Sequence, residues 1–575
     1  MLPGSNLQQK LTNLRRQAEE RDAQRRAQKS GHPYIDLSAL PINTEALGLI
    51  SKEIAKKTQI VAVDIKEKKL FIAAADPDSF LVKELTKKLK SQGFEIRLFT
   101  ASLSGLSRAF DFYRFISERQ KQITGKIEIQ TDKFLKLKEK LVSVKNFTEA
   151  LGSIDFLNDE LGKIFEIVLF GALVLRASDV HFEPLEDRVK LRIRIDGILH
   201  DAFENFGRDF YSRLLSRVKL LSDLKINIRN KPQDGRFSIS FPDKKIEVRV
   251  AIAPSEFGEV AVMRLLDPEV VNLTLSDLGI REDDLEIIKT ELKRPNGMIL
   301  NAGPTGAGKT TTLYAFLKYK KSPTIKIIAI EDPIEYHLEG IEQTQVDEGA
   351  GYTFANGLRS LMRQDPDVIL VGEMRDKETA EIGIQAALTG HLVFSTVHAN
   401  SASGVVPRLL DLGVKPSSIG PALNLIIAQR LVRRLCRFCK SPQETNPELK
   451  NKIEKFFDKL PRRVSRDNFK EIKIYQPKGC LKCNNSGYLG RIGIYELLLN
   501  DPEYEKLLIN PAHRDLSSRK ELEDLILAGA PESAIERFAL NQEMVTMQQD
   551  GILKIISGFT SFEEVESATG SIAWQ

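Results

Sequence analysis

Long apolar runs are missing from this sequence. No stretch approaches the roughly 20 residues that a membrane span needs, and the nearest, Ile164 to Leu175, is interrupted by Glu166 and reads as a buried helix. The first thirty residues alternate Arg and Glu without an apolar centre, which excludes a secretory signal and leaves the cytoplasm as the expected location. An excess of one charge is missing too. Lys and Arg number 84 against 79 Asp and Glu, and a net charge of +5 over 575 residues makes nucleic acid a poor first expectation for a partner. Cysteine is scarce. All four fall in two Cys-x-x-Cys pairs, which in a reducing compartment ligate metal more readily than they form disulfides.

Length is what the chain has in plenty, too much for one hydrophobic core, so about three or four domains are expected. Residues 1–31 look helical but polar nearly all round. Only Leu7, Leu11 and Leu14 share a stripe, so a helix there is solvated or waits for a partner. Residues 32–116 alternate apolar runs (60–63, 70–74, 96–99) with helical stretches near 46–56 and 81–90, as in a small α/β domain. The Lys-rich segment 117–149 suits an exposed helical linker. Residues 150–270 open with helical spacing and then switch to period two, a helix-plus-sheet domain. Within it Val189, Leu191, Ile193 and Ile195 face one way, and Lys190, Arg192, Arg194 and Asp196 the other. That cationic face is simply solvated unless an anion or an acidic neighbour lies across it. From 271 to 575 continuous apolar strands (298–300, 325–330, 368–371, 392–394) alternate with helices, the pattern of a parallel sheet covered on both faces.

Ligands of such sheets sit at the carboxyl ends of the strands, and here each strand runs straight into polar residues. After the first come Gly303, Pro304, Thr305, Gly306, Ala307, Gly308, Lys309, Thr310 and Thr311, which fill every specified position of the G-x-x-x-x-G-K-[ST] phosphate loop. The glycines let backbone N–H groups face phosphates, Lys309 reaches the β- and γ-phosphates, and the Thr310 hydroxyl holds Mg²⁺. The second strand ends in Glu331-Asp332-Pro333-Ile334-Glu335, acids that repel one another unless a cation or water network is present. The third ends in Gly372-Glu373, placing Glu373 where a second magnesium-linked acid belongs, with Gly in place of Asp before it. The fourth joins His391 to His398, either of which could sense the γ-phosphate. Candidate cations for the transition state are Arg359 and Arg363, four apart on an expected helix, and Arg192, Arg194, Arg236, Arg249 and Arg264 of the sheet domain. Cys436, Cys439, Cys480 and Cys483 supply the four thiolates of a structural Zn²⁺ site, with a helix-like insert near 448–460 between the pairs.

Together these motifs, with Arg176-Ala-Ser-Asp-Val-His-Phe-Glu-Pro184, Arg194-Ile-Asp-Gly-Ile-Leu199 and Leu358-Arg-Ser-Leu-Met-Arg-Gln-Asp-Pro-Asp367, resemble the secretion ATPases of type II secretion and type IV pilus assembly over roughly residues 33–570. The resemblance implies an α/β chain with a RecA-like P-loop ATPase domain, preceded by a PAS-like sheet domain and a small N-terminal docking domain, with a tetracysteine zinc insert at about 432–490. It implies ATP, Mg²⁺ and Zn²⁺ as ligands, Glu335 as base for water and Glu373 as the Walker B acid. It further implies a homo-hexamer at the inner face of the cytoplasmic membrane, associated peripherally through an inner-membrane platform protein and a cytoplasmic or membrane adaptor. Pilus assembly is the first reading and type II secretion the alternative. A DNA-translocating motor and a non-catalytic scaffold are the rivals, the first opposed by near-neutral charge and the second by intact Lys309, Thr310, Glu335 and Glu373. One departure stands out: the loop is entered through Leu300-Asn301-Ala302-Gly303, where relatives more often have Val-Thr-Gly.

Overall fold

A computed structural model describes residues 18–574 except 38–41, 67–68, 92–93, 116–124, 130, 157–160, 243, 270–272, 470–471 and 501–516. The chain divides at Leu266/Asp267 into two compact units.

In the first unit residues 18–30 are helical, and the helix is packed rather than solvated. Ala23 and Ala27, one turn apart, are buried, and the Glu20 carboxylate accepts from the Tyr34 and Ser102 hydroxyls at 2.6 Å each. Leu7, Leu11 and Leu14 lie outside the described residues. The small α/β domain carries a sheet of Ile60–Lys66, Lys69–Ala74 and Glu95–Thr100, antiparallel then parallel. The helix expected at 46–56 is two helices, Thr44–Gly48 and Lys52–Thr58, because Ser51 caps the second by accepting from the Ile54 N–H.

The next sheet has seven strands in the order Lys126–Glu128, Gln233–Ser240, Lys245–Ser255, Gly258–Leu266, Ala177–Pro184, Val189–Ile195 and Ile198–Phe206. Its edge strand Lys126–Glu128 falls in the stretch expected as an exposed linker. Ile127 and Ile129, spaced two apart, pack into the sheet domain's core and give that short run the one apolar face an edge strand needs. The apolar run near 164–175 is the helix Leu161–Val174, whose Ile164, Phe165, Val168, Leu169 and Phe170 are buried against this sheet. Among the described residues no helix is long and apolar enough to cross a membrane.

The second unit is built on seven strands in the order Glu342–Gln345, Ile327–Glu331, Val368–Val371, Leu392–Val397, Gly297–Ala302, Leu423–Leu435 and Tyr488–Leu499. The first six are parallel and the last is antiparallel. Gly297–Ala302, Ile327–Glu331, Val368–Val371 and Leu392–Val397 are buried at every position, as strands covered on both faces must be. Apolar clusters on both sides, one around Met298, Ile330 and Val393, the other around Ile299, Phe316 and Phe394, supply the cover. Leu423–Leu435 runs directly into Cys436, and Cys483 precedes Tyr488–Leu499, so this strand pair brings both Cys-x-x-Cys loops to one end of the sheet. The insert between them holds the helix Pro447–Lys459.

Candidate active site

The strand Gly297–Ala302 and the helix Lys309–Lys320 are joined by the Gly-rich loop. Gly303 (φ 151°), Gly306 (81°) and Gly308 (89°) stand where side chains are disfavoured. A Cβ on Gly303 would lie 2.6 Å from the Gln429 carbonyl oxygen, whereas one on Gly306 would meet nothing within 4 Å. The loop is thus pressed against its neighbour strand on one side and borders open space at its tip. The helix that starts at Lys309 brings its positive N-terminal end to this loop, which fits a phosphate chain. Thr310 follows Lys309 in the first turn and Thr311 follows it, both part-buried. Lys309 Nζ donates to the carbonyls of Gly303 (2.7 Å) and Pro304 (3.1 Å). Burial pulls its ammonium below the usual lysine range, and the Glu373 carboxylate opposes that pull. An ammonium half stripped of water beside an open anion cradle gains most from a phosphate.

The strand-end acids do not share one environment. Glu331 is buried, accepting from the Tyr314 hydroxyl at 2.5 Å and the Gln343 amide at 2.9 Å. The same Gln343 bonds the Tyr336 carbonyl and accepts from the Leu338 N–H, stitching the loop after the strand into one shape. Glu373 is 13% exposed, pairs with Arg375, and lies 3.5 Å from His398 Nε2. His398 thus stands at the active edge, whereas a His391 ring nitrogen sits 3.1 Å from the Ala386 carbonyl of its own turn, a structural role. Glu335 is half-buried four residues beyond Glu331, near enough to Tyr314 that its charge adds to the push raising that phenol's pKa, most of which comes from burial and Glu331. Tyr314, Gln343 and Gln429 were not singled out by sequence reasoning. Each acts through long-range pairing that no local motif signals.

The arginines divide differently from expectation. The helix Phe354–Leu361 ends before Arg363, which stands in a 3₁₀ turn, Met362–Gln364, so Arg359 and Arg363 do not share an α-helical face. Arg359 bonds Asn356 and Glu378, and Arg363 bonds Ser360. In the first unit the cationic face does meet acids: Lys190 pairs with Asp201 at 2.8 Å, Arg192 with Asp201 at 3.1 Å and Glu183 at 3.5 Å, and Arg194 with Asp179 at 3.5 Å. Arg249 is opposite Arg236 on one neighbouring strand and Arg264 on the other. Three like charges in register repel. Glu247 beside Arg236 (3.9 Å) and Asp179 beside Arg264 (2.9 Å) offset part of that.

The sulfurs of Cys436, Cys439, Cys480 and Cys483 all lie within 4.8 Å of one another. Three pairs are 3.7 to 3.9 Å apart, and a tetrahedron with Zn–S bonds of about 2.3 Å has edges of about 3.8 Å, so the cluster fits zinc. The Cys480 and Gly487 N–H groups point at the Cys483 sulfur (3.2 and 3.3 Å), the donors a thiolate needs. Arg433 and Arg434 are turned onto Tyr488 and Phe559, while Arg437 and Lys482 flank Phe438 between the two knuckles.

Residues 159–567, well over half of the chain, match the family described as type II/IV secretion system protein. The chain belongs to this family. Residues 30–113 also match the MshEN domain. Among relatives of this secretion-system chain, the type IV pilus assembly ATPase PilB of Myxococcus xanthus is 35% identical over 94% of this chain and 89% of its own length. The type II secretion system ATPase E of Vibrio cholerae is 39% identical over 84% of this chain and 89% of its own. The type II secretion system protein E of Dickeya dadantii is 42% identical over 71% of this chain and 75% of its own.

Proposed function

We propose that this family member hydrolyses ATP to drive assembly of a type IV pilus. The observation that carries the ATPase reading is the phosphate loop with Lys309 set near Glu373, on a parallel sheet in which two other strands lead, at their carboxyl ends, to Glu331 and Glu373. Lys309 binds the β- and γ-phosphates, the loop N–H groups orient them, and Glu335 takes the proton of the attacking water. Thr310 would hold Mg²⁺, with Glu373 beyond it, and the ion would neutralise charge on the phosphates. Arg359 and Arg363, and Arg192 and Arg249 offered to a neighbouring subunit of a hexamer, would supply further cations. Arg192 would first have to leave Glu183 and Asp201. The hexamer would work at the inner face of the cytoplasmic membrane, through a platform protein and an adaptor.

Pilus assembly is favoured because likeness to the pilus ATPase runs through the N-terminal domain to cover 94% of this chain. Secretion is the second reading, because identity is higher, at 39 to 42%, over the shorter alignments with secretion ATPases. Deleting the gene distinguishes them. Loss of surface pili with exported enzymes still released is expected, and pili persisting while secretion fails would reverse the assignment.

Cys436, Cys439, Cys480 and Cys483 would hold Zn²⁺ as a structural ion with no open position. Purified protein is expected to contain about one zinc per chain by elemental analysis. Cys439→Ser should lose that metal and unfold at lower temperature. Metal-free wild-type protein with an unchanged melting transition would count against the assignment.

A further inference from the structure

The phosphate loop is held by a residue outside every motif, Gln429 on the strand Leu423–Leu435. This strand lies parallel to the loop's own strand, with Ala428 in register with Ala302. Gln429 is therefore the next residue, alongside the point where the backbone turns into the loop. It is 1% exposed and both ends of its carboxamide are used. Nε2 donates to the Ala307 carbonyl at 2.7 Å, and Oε1 accepts from the Asn301 amide at 2.8 Å. Two of the three motif glycines also face this residue: a Cβ on Gly303 would strike its carbonyl oxygen at 2.6 Å, and one on Gly308 would meet its Nε2 at 3.1 Å. One side chain thus ties the strand before the loop (Asn301) to the last turn before the helix (Ala307).

Asn301 is the departure noted in the sequence. Valine in this position, two before Gly303, would offer Gln429 no donor. We propose that Gln429 is a positioning residue for the phosphate loop, and that in this chain Asn301 is its partner, the pair fixing the loop's curvature before nucleotide arrives. Preorganisation of this kind appears as affinity for the phosphates, because a loop that must be ordered on binding gives back part of the binding free energy. The proposal rests on the phosphate-binding reading of Gly303–Thr310.

The test is ADP binding to the full chain by calorimetry, for wild type, Gln429→Met, Asn301→Val and the double variant. Gln429→Met is expected to weaken ADP about tenfold and Asn301→Val about threefold, each by loss of buried hydrogen bonding. The double variant should be no weaker than Gln429→Met, since both remove the same bridge. A third variant separates positioning from general structure. Protonated Gln429→Glu presents a donor and an acceptor like the carboxamide, but ionised it repels the Ala307 carbonyl. Its ADP affinity relative to wild type at the same pH should therefore approach one at low pH and fall as pH rises, titration of the ADP phosphate itself being common to both. Binding within twofold of wild type for both Gln429→Met and Asn301→Val would overturn the bridge and leave the loop's assignment standing. So would additive losses, or a flat Gln429→Glu profile. Failure of wild type to bind ADP would overturn the assignment and the bridge together. Should Gln429→Met not fold, Asn301→Val decides, because it leaves Gln429 and its bond to the Ala307 carbonyl in place.

Discussion

Glu335→Gln lowers ATP turnover about a thousandfold, within the range removal of a general base produces, while ADP affinity stays near wild type. The reason lies in how the three strand-end acids are employed. Glu331 is spoken for on both oxygens, by Tyr314 and Gln343. Glu373 is engaged by Arg375 and faces His398 and the Lys309 charge. Glu335 stands four residues beyond Glu331, past the strand end and half-buried, and it is the acid to which the proposed mechanism gives the proton of the attacking water. A glutamine there keeps size and polarity but cannot accept a proton, so the loss falls on turnover and leaves phosphate binding intact. Glu331→Gln in the same assay tests a different duty. It weakens the pairing that shapes the loop through Gln343 and should lower turnover about tenfold, an effect of misplacement rather than lost basicity. Arg192→Ala is also expected to lower turnover about tenfold, well under the upper range for transition-state arginines because this guanidinium is shared with Glu183 and Asp201. Wild-type turnover in Glu335→Gln would sink the base assignment, whereas turnover no higher than background in both proteins would sink the motor reading and leave a scaffold that binds ATP.

The parts of this site that sequence reasoning could reach are those whose chemistry is local. Gly303 to Thr310 is a contiguous motif whose backbone demands are visible in its glycines, and each acidic box follows its strand within a few residues. The cysteine pairs are legible because type and spacing carry the information. What escaped is whatever depends on residues meeting across the sheet. Gln429 is an unremarkable polar residue in an apolar strand until that strand lies beside the loop. The acids facing Lys190, Arg192 and Arg194 arrive from two other strands, so the face that looks cationic along one strand is largely compensated across three. The helix through Arg359 is shorter than the expected pairing of Arg359 with Arg363 requires: Met362 to Gln364 tighten into a 3₁₀ turn before Asp365, whose φ of 54° ends the helical path.

Arg463→Ala carries the other large expectation, a loss of about 3–5 kcal/mol of stability, the range for removing one partner from a buried ionic cluster. Arg463 lies in the insert between the cysteine pairs, yet it is 6% exposed and reaches Asp283 and Asp284, the latter at 2.7 Å, and donates from Nε to the Glu543 carbonyl at 3.0 Å. Arg281 continues the cluster, 2.6 Å from Asp284 and 3.0 Å from Asp550, and Lys554 closes it on Asp550. Three carboxylates and three cations thus balance in a mostly buried cluster, drawn from the start of the second unit, from the insert and from the helix Met547–Ile556. Removing Arg463 leaves Asp284, 1% exposed, with one cation fewer. Burial already pushes that carboxyl up, and Arg281 and Arg463 hold it down, so in the variant it must take up a proton or draw in water. The only tryptophan, Trp574, packs on Phe562 beside the insert's own core and reports the change by fluorescence during urea unfolding. Arg462→Ala is the control, since its side chain is 86% exposed and 4.0 Å from Glu543, a contact of the kind that contributes little. Equal midpoints for the two variants would show the cluster holds nothing. A large gap confined to Arg463 would mean that the cysteine-bearing insert, the helix Met547–Ile556 and the start of this unit move as one body, so any displacement at the cysteines reaches the sheet through a rigid connection.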